Sequence, residues 1–363
     1  MKKTYRGSLA RRDEHMVKKI EINGKYIGGD SPTYVILEIA RTYNNDLKIA
    51  KRMVEEAANA GADAVKIQSI EAKDLLVRSN STKNHYQELQ DLERSLEDHR
   101  YLKEVADSCG VACFSTPESL NMVDLLEKVG VRAYKVASLD LVYYDLLRYI
   151  ADKQKPVFLS TGMAEMYEIQ EALNVIRFEG NDKIVLLYCV SLYPPEPDEI
   201  DLNTIRTFWE TYQVIPGFSD HTPSIFTAVA SVALGAKVIE KHFTLDRNQP
   251  GDDHKISIEP DELNKLVKEI RRIEKMLGSG KKVLSEREIE LRNLKRRKIV
   301  AARDLDKGTK LNKDLLMFRQ LDSPTGIQSQ HENEIIGRTL NVNLKKDEPI
   351  LWDTLQGGLI DNR

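Results

Sequence analysis

The chain has 363 residues, of which 41% are hydrophobic and 31% are charged, and its 54 basic and 57 acidic residues give a formal net charge of −3. This length allows one large domain and a smaller one, and the balanced charge excludes a global field that would draw the protein onto nucleic acid or an anionic membrane. No apolar run reaches the roughly 20 residues that span a bilayer.

The first 33 residues precede the main pattern of the chain. Residues 1–16 carry basic side chains without an apolar segment behind them, which predicts a solvated tail of a cytoplasmic protein and not a signal peptide. Within residues 17–33, KKIEINGKYIGG places an Asn-Gly pair between alternating apolar residues. This pattern is typical of a β-hairpin, and we expect the hairpin to cap the bottom of the domain that follows.

Residues 34–277 repeat one pattern, in which a short apolar run is followed by polar residues and then by an amphipathic stretch. Such alternation is expected of βα units around a parallel sheet. Eight units in about 245 residues match a (β/α)8 TIM barrel. An open doubly wound sheet is the alternative, weakened because no G-x-G-x-x-G follows the first strand. The eight runs are YVILEIA (34–40), ADAVKIQ (62–68), VACFST (111–116), RAYKVAS (132–138), PVFLST (156–161), KIVLLYCVS (183–191), IPGFSD (215–220) and AKVIEKHF (236–243).

An insertion and a second domain complete the predicted organisation. The insertion LLVRSNSTKNHYQELQDLERS, after the second strand, is longer than a minimal βα loop, which favours a lid over the site. Residues 278–297 predict a charged linker, and residues 298–356 predict a small, mostly β domain because short apolar runs alternate with turn signals. A tail is expected at 357–363. The basic run LKRRKI has no aromatic partners, which favours a solvated face over nucleic-acid binding.

Polar side chains stand at the C-terminal ends of the predicted strands, where a barrel places its active site. Residues two apart on a strand point to the same side, so three pairs would each aim two polar groups at the barrel mouth. These pairs are Lys66 and Gln68, Ser219 and His221, and Glu240 and His242. The other polar residues at strand ends are Glu38, Ser115, Thr116, Lys135, Ser138, Ser160, Thr161, Ser191 and Tyr193.

Two histidines and two lysines give this mouth its predicted chemistry. His221 and His242 close consecutive strands and would lie roughly 5 Å apart; two imidazoles with oxygen ligands suit a divalent metal such as Mn²⁺, with Zn²⁺, Co²⁺ and Mg²⁺ as alternatives. Lys66 and Lys135 would be costly to bury without an anion, such as a phosphate or carboxylate. The alternative for the lysines is an internal ion pair to Glu38 or Glu240.

A series of motifs resembles the N-acetylneuraminate (sialic acid) synthase family, the nonulosonic acid synthases with a C-terminal antifreeze-like (SAF) domain. The motifs are GADAVKIQ, FSTP, YKVAS, LSTGM, LYCVSLYPPEP, GFSDHT and GAKVIEKHFTLDRNQPGDDH, and they cover nearly the whole chain in this order. The resemblance implies a metal-dependent transferase that condenses phosphoenolpyruvate with an open-chain N-acylated amino sugar and releases phosphate by C–O cleavage. The implied acceptor is N-acetylmannosamine or a 2,4-diacetamido-2,4,6-trideoxy hexose.

The resemblance also implies a role for each matched residue. Glu38 would position or deprotonate the attacking water, and the further implied catalytic residues are Lys66, Lys135 and Glu240. The implied phosphoenolpyruvate-binding residues are Lys66, Thr116, Lys135, Ser138, Ser160 and Ser219. The implied sugar-binding residues are Gln68, Ser191, Tyr193, Glu240 and Asp253. His221 and His242 would hold the metal, with Mn²⁺ as the expected ion. The family further implies a domain-swapped homodimer, which a linker at 278–297 is long enough to allow.

Departures from the family pattern fall on the sugar side of the predicted site. The usual E-x-G-x-N-H-x-G after the first strand is EIARTYNN here, Asp140 replaces a frequent glutamate, and Ser191 replaces a frequent asparagine. Asp322, in LDSPTGI, takes the place of an arginine of the antifreeze-like domain, although Arg319 lies close in sequence. These changes leave the acceptor open. They also keep two alternatives: a phosphorylated or uncommon acceptor, and a non-catalytic descendant that binds a sugar or a protein.

Overall fold

The computed structural model describes residues 19–357, which divide into two compact units between Gly278 and Ser279. The predicted tail at 1–16 and nearly all of that at 357–363 lie outside the described residues. The strands are β1 Ile20–Ile22, β2 Lys25–Ile27, β3 Tyr34–Glu38, β4 Ala64–Ser69, β5 Ala112–Pro117, β6 Tyr134–Val136, β7 Val157–Ser160, β8 Ile184–Cys189, β9 Ile215–Asp220, β10 Val238–His242, β11 Lys298–Ala301 and β12 Leu316–Arg319. The helices are α1 Leu47–Asn59, α2 Ala72–Leu75, α3 Lys83–Leu92, α4 Leu96–Ser108, α5 Leu120–Val129, α6 Tyr144–Asp152, α7 Met166–Phe178, α8 Thr204–Tyr212, α9 Phe226–Ala233, α10 Asp252–Ile256, α11 Pro260–Leu277, α12 Glu286–Lys295 and α13 Glu332–Ile335.

The first unit is a parallel barrel in which β3 to β10 follow one another in chain order. The barrel is closed because β10 pairs with β3, which places His242 opposite Glu38. The predicted TIM barrel is therefore confirmed, and the alternative of an open doubly wound sheet is wrong.

Local sequence sets the limits of the helices around this barrel. In α5, the Ser119 side chain accepts a hydrogen bond from the backbone N–H of Met122 at the start, and Gly130 ends the helix in the left-handed conformation. The buried face of α5 consists of Met122, Val123 and Leu126, three and four residues apart, as expected of a helix packed on a sheet.

The lower end of the barrel is filled by apolar side chains. Phe114 stacks on Phe158 with ring centroids 5.0 Å apart, and both belong to one hydrophobic cluster with Ile20 and Ile27 of the hairpin β1–β2. The hairpin turn is Asn23-Gly24, where both residues have positive φ (51° and 76°), as a two-residue turn requires. The polar side chains of the barrel interior therefore lie at the other end of the barrel.

The second unit is a small, mostly β domain, as predicted. Strands β11 and β12 pair antiparallel, with Lys298 opposite Arg319, and further single bridges link short extended segments. Ile299, Leu340 and Ile350 lie in its core. The predicted linker at 278–297 contains the helix α12, none of whose residues is buried. In the described part of the chain, no helix is long and apolar enough to cross a membrane.

Candidate active site

A cavity of about 490 Å³ opens at the C-terminal ends of the barrel strands. Every residue to which the sequence assigned a role lines this one cavity: Glu38, Lys66, Gln68, Thr116, Lys135, Ser138, Ser160, Ser191, Tyr193, Ser219, His221, Glu240, His242 and Asp253. A larger cavity of about 760 Å³ lies beside it, lined mainly by apolar residues such as Ile169 and Phe208. The charged and hydrogen-bonding groups that chemistry requires are in the smaller cavity.

Alternation along two neighbouring strands explains how GFSDHT and EKHF present their side chains. Ser219 and Glu240 face the cavity, and the Ser219 hydroxyl donates to Glu240 Oε1 at 3.1 Å. The residues between the cavity-facing ones point the other way, where Lys241 Nζ lies 2.8 Å from Asp220 Oδ2 and both side chains are fully buried. Asp220 also accepts from the backbone N–H of Thr222 at 2.9 Å. This ion pair braces the strand ends that carry both predicted metal ligands.

Two buried carboxylates hold the two lysines at the base of the cavity. Glu240 Oε1 lies 3.6 Å from Lys66 Nζ and 3.4 Å from Lys135 Nζ, and Lys66 also pairs with Glu38 Oε2. The structure thus shows the internal ion pairs that were the alternative reading of the lysines. Glu38 Oε1 accepts from the backbone N–H of Ala40 at 2.6 Å, so both oxygens of this carboxylate have partners.

The two lysines are not equivalent, because only Lys66 has two carboxylate partners. Burial lowers the pKa of Lys66, but the charges of Glu240 and Glu38 outweigh it and the net pKa is raised. For Lys135, burial lowers the pKa, Glu240 only partly offsets it, and Lys66 lowers it further. Lys135 is therefore the cation that an additional anion would stabilise most.

Hydroxyl groups surround the lysines. Thr116 Oγ1 lies 3.5 Å from Lys66 Nζ, and Ser138 Oγ accepts from the backbone N–H of Gly162 at 3.0 Å. A Cβ atom at Gly162 would lie 2.1 Å from Ser191 Oγ, so any larger residue would force the Ser191 side chain to move. The Ser160 hydroxyl is buried and has no hydrogen-bond partner among the described residues. A buried hydroxyl without a partner is costly, which points to a bound group in this position.

The two predicted metal ligands lie side by side, with ring centroids 5.3 Å apart. His221 Nδ1 is 2.8 Å from the carbonyl oxygen of Val190, which can only accept, so Nδ1 carries the proton and Nε2 keeps its lone pair. Burial and then the charge of His242 lower the pKa of His221 to about 3, so its ring is neutral near pH 7. Neutral imidazole is the form that binds metal ions.

The side chains around these two histidines supply only part of a metal-binding site. Asp253 Oδ2 is 3.3 Å from His242 Nδ1, but this buried nitrogen makes no aligned hydrogen bond. Within residues 19–357, no group of three or more His, Cys, Asp or Glu side chains is arranged to hold a metal ion. Two adjacent imidazoles, of which His221 presents a free Nε2 lone pair, fit a divalent ion whose remaining ligands are water or substrate oxygens.

Apart from Glu240, which is buried at the base, the predicted sugar-binding residues lie nearer the opening of the cavity. The Tyr193 ring stacks on His221 with centroids 4.0 Å apart, and its side chain is about half exposed, at 52%. Gln68, Ser191 and Asp253 are each half-buried. In the second unit, Asp322 and Arg319 are both exposed.

Sequence reasoning missed three charged residues of the cavity, Arg41, Glu118 and Asp252. Arg41 follows β3 within EIARTYNN, whereas Thr42 and Tyr43 of the same segment are buried away from the cavity. Glu118 directly follows β5 and is buried, with Oε2 unpartnered in the described chain. Burial and then the charge of Asp140 raise the pKa of Glu118 to about 7.

Other expectations for the mouth do not hold. Ser115 faces away from the cavity and bonds Ser69, whose hydroxyl is 2.7 Å from His99 Nε2. Thr161 donates to the Leu187 carbonyl and lines the apolar cavity instead. The insertion predicted as a lid begins at the last residue of α2 and contains α3, and none of its residues lines the cavity.

Fold and site together define a TIM barrel whose mouth combines buried lysines, hydroxyls and an imidazole pair, followed by a small β domain. The NeuB family profile matches residues 53–282 and the SAF domain profile matches residues 296–356. The chain belongs to the NeuB family and carries a SAF domain, which confirms the family resemblance and the predicted class of the second domain.

The match with each of the following relatives covers nearly the whole length of that relative. The N,N'-diacetyllegionaminic acid synthase of Legionella pneumophila is 37% identical over 354 residues, which cover 93% of this chain and 98% of that protein. Human N-acetylneuraminate-9-phosphate synthase is 31% identical over 350 residues, covering 93% and 96% of the two chains. The crystal structure of the N-acetylneuraminic acid (sialic acid) synthetase of Leptospira borgpetersenii in complex with citrate has a TM-score of 0.72 and 36% identity, and covers 77% of this chain and 98% of that chain.

Proposed function

We propose that this protein is a nonulosonic acid synthase, which condenses phosphoenolpyruvate with an open-chain N-acylated amino sugar and releases phosphate by C–O cleavage. The observation that carries the proposal is the base of the cavity, where Lys66 and Lys135 share Glu240 beside the unpartnered hydroxyl of Ser160. The synthase relatives support the general reaction.

Phosphoenolpyruvate suits the base of the cavity because it carries a phosphate and a carboxylate. Lys135, whose pKa is lowered, gains most from an anion, and Ser160 would donate its free hydroxyl to it. Thr116 and Ser138 would supply further donors around the same anion, and Ser219 would do so by turning its hydroxyl away from Glu240. As Lys66 turns toward the anion, Glu38 would be released from its ion pair and could accept a proton from water.

The proposed reaction forms a carbon–carbon bond at C3 and a carbon–oxygen bond from water at C2, and it breaks the C2–O bond to phosphate. C3 of phosphoenolpyruvate bonds to the aldehyde carbon of the acceptor, and the aldehyde oxygen takes up a proton. Water, positioned by Glu38, adds its oxygen to C2. The C2–O bond to phosphate then breaks and phosphate leaves with the electron pair, while the new C2 hydroxyl gives up its proton and C2 becomes a ketone. Lys66 and Lys135 would stabilise the negative charge of the leaving group.

His221 and His242 would hold a divalent metal, with Mn²⁺ as the proposed ion and Mg²⁺ or Co²⁺ as alternatives. A bound ion of this kind supplies Lewis acidity to a carbonyl oxygen. Tyr193, stacked on His221, would then align the open-chain sugar beside the ion. Asp253, at 3.3 Å from His242, would orient that imidazole or accept a sugar hydroxyl.

The acceptor is N-acetylmannosamine or a 2,4-diacetamido-2,4,6-trideoxy hexose, and the Legionella relative supports the second. The human relative's name favours a phosphorylated sugar as the competing candidate. A non-catalytic descendant is disfavoured, because a binding module has no need to set anion-binding lysines beside paired imidazoles.

Phosphate release from phosphoenolpyruvate in the presence of Mn²⁺ tests the proposal. We expect release with N-acetylmannosamine or with the diacetamido hexose, and a weaker response to N-acetylmannosamine 6-phosphate. Lys135→Met should lower kcat/KM for phosphoenolpyruvate about 100-fold, since losing one partner of a buried charge pair costs about 2–5 kcal/mol. Lys155→Met, a lysine outside the cavity, is the matched control. If the folded, metal-loaded protein releases no phosphate with any of these acceptors, the non-catalytic alternative is favoured.

We also propose that the protein is a homodimer. Apolar side chains are exposed around the barrel mouth, among them Val142, Met163, Tyr167 and Leu192, and such a concentration is typical of a protein–protein interface. Light scattering should give a mass near twice the 41.4 kDa of one chain. A single-chain mass at micromolar concentration would contradict the dimer.

A further inference from the structure

One corner of the cavity has charged groups that the proposed chemistry does not use. Arg41 follows β3, Gln68 lies near the end of β4 and Glu118 follows β5, so three adjacent strands bring them to one side of the mouth. This side begins next to the imidazole pair, because β3 pairs with β10 in the closed barrel, and it extends from there to β5. Neither Arg41 nor Glu118 has a role in anion binding, metal binding or proton transfer as proposed above.

Arg41 is held in place but keeps donors to spare. Its Nε donates to Gln68 Oε1 at 3.3 Å, and no carboxylate among the described residues lies within ion-pair distance of it. A guanidinium has five N–H donors and no acceptor. The half-buried side chain therefore offers further donors to the cavity.

Glu118 supplies hydrogen-bond acceptors, whereas Arg41 supplies donors. Its side chain is 8% exposed and its Oε2 is buried without a hydrogen-bond partner in the described chain. A buried carboxyl oxygen without a partner is costly, and a ligand with a donor group would remove that cost. Arg41 and Glu118 line the same cavity and follow β3 and β5, the two neighbours of β4, which carries Gln68. One ligand in this corner can therefore contact both groups.

We propose that Arg41 and Glu118 form an acceptor subsite for a neutral acylamino group, whose carbonyl oxygen accepts from Arg41 and whose N–H donates to Glu118. This inference rests on the proposed function and narrows its substrate class. An amide has one acceptor and one donor, which match the two residues. An ionised phosphate has acceptors alone, so it would satisfy Arg41 but supply no donor for Glu118 Oε2. Gln68 is the positioning residue, because it fixes the guanidinium.

The test compares N-acetylmannosamine with mannose, which has a hydroxyl in place of the acetamido group. In the wild type we expect kcat/KM to favour the acetamido sugar. Arg41→Met and Glu118→Leu should each lower this preference about tenfold to 100-fold, the usual effect of losing a hydrogen bond to a charged group, while the KM for phosphoenolpyruvate stays unchanged. Arg206→Met and Glu210→Leu, on an exposed ion pair of α8, are the matched controls.

Binding is measured separately by saturation-transfer NMR, which detects contact with the acetyl methyl group without turnover. Loss of this signal in both variants, with wild-type thermal unfolding, supports the subsite. If the wild type binds the acetamido sugar but releases no phosphate, the proposed function fails and the subsite stands. If phosphate is released and the variants keep the wild-type preference, the subsite is wrong and the function stands. Absence of acetyl contact in the wild type, or a change confined to the KM for phosphoenolpyruvate, also overturns the subsite.

Discussion

Replacing Glu240 with glutamine is expected to lower the free energy of unfolding by about 3–5 kcal/mol, the usual cost of removing one partner of a buried ion pair. Glu240 is the carboxylate shared by Lys66 and Lys135. Without it, Lys135 keeps no carboxylate within 4 Å among the described residues, while Lys66 still pairs with Glu38. The buried site would then carry uncompensated positive charge. Chemical denaturation near pH 7 measures the change.

Added phosphate distinguishes this cause from ordinary damage to packing. An anion between the lysines would replace the missing charge, so phosphate should stabilise Glu240→Gln more than the wild type. Glu210→Gln, on the exposed pair with Arg206, should change the free energy of unfolding by less than about 0.5 kcal/mol. Equal stabilisation of both proteins by phosphate would contradict the assignment of an anion site to the two lysines.

The same substitution should remove part of the acid sensitivity of the protein. Burial raises the pKa of Glu240, but Lys135 and Lys66 outweigh it and hold the pKa at about 2, below the ordinary 4.5. A depressed pKa stabilises the folded state fully above pH 4.5, and this stabilisation is lost as the pH falls toward 2. The difference in stability between wild type and Glu240→Gln should therefore shrink over this range.

His221→Ala is expected to lower phosphate release at least 1,000-fold, provided that the ion supplies the several kcal/mol of charge stabilisation typical of metal catalysis. The His221 ring presents Nε2 because Nδ1 donates to Val190, and alanine removes that ligand. Metal content measured by mass spectrometry should fall in parallel. A chelator should inactivate the wild type, and Mn²⁺ should restore it.

His85→Ala is the matched control for this experiment, because His85 is an exposed histidine of α3. It should keep the wild-type rate and metal content. Retention of full activity by His221→Ala, or loss of activity without loss of metal, would remove His221 from the proposed ligand set.

Strand periodicity explains why most of the cavity could be predicted. Residues two apart share a face, and this rule placed Ser219 with His221 and Glu240 with His242 in one cavity. By the same rule, adjacent residues of a strand point to opposite faces, which explains why Thr116 lines the cavity and Ser115 does not. The closed barrel followed from eight repeats of one pattern, each long enough for a strand and a helix.

Arg41 and Glu118 escaped prediction because they lie just beyond strand ends, where periodicity stops. Their positions depend on contacts between distant parts of the chain. The Thr42 hydroxyl, next to Arg41, donates to the Phe243 carbonyl at 2.7 Å, across 201 positions in sequence. The two carboxylate partners of Lys66 likewise come from β3 and β10. No local sequence pattern indicates whether a buried lysine pairs with an internal carboxylate or with a bound anion.

The buried pair of Asp220 and Lys241 has a consequence for how this protein can diverge. Each residue would be left as an unpaired charge in the interior if its partner changed alone, so the two positions are expected to vary together among descendants. Ser219, next to Asp220, faces the cavity and is constrained by the substrate instead. Neighbouring residues of GFSDHT would thus be under different selective pressures: folding constrains Asp220, and turnover constrains Ser219.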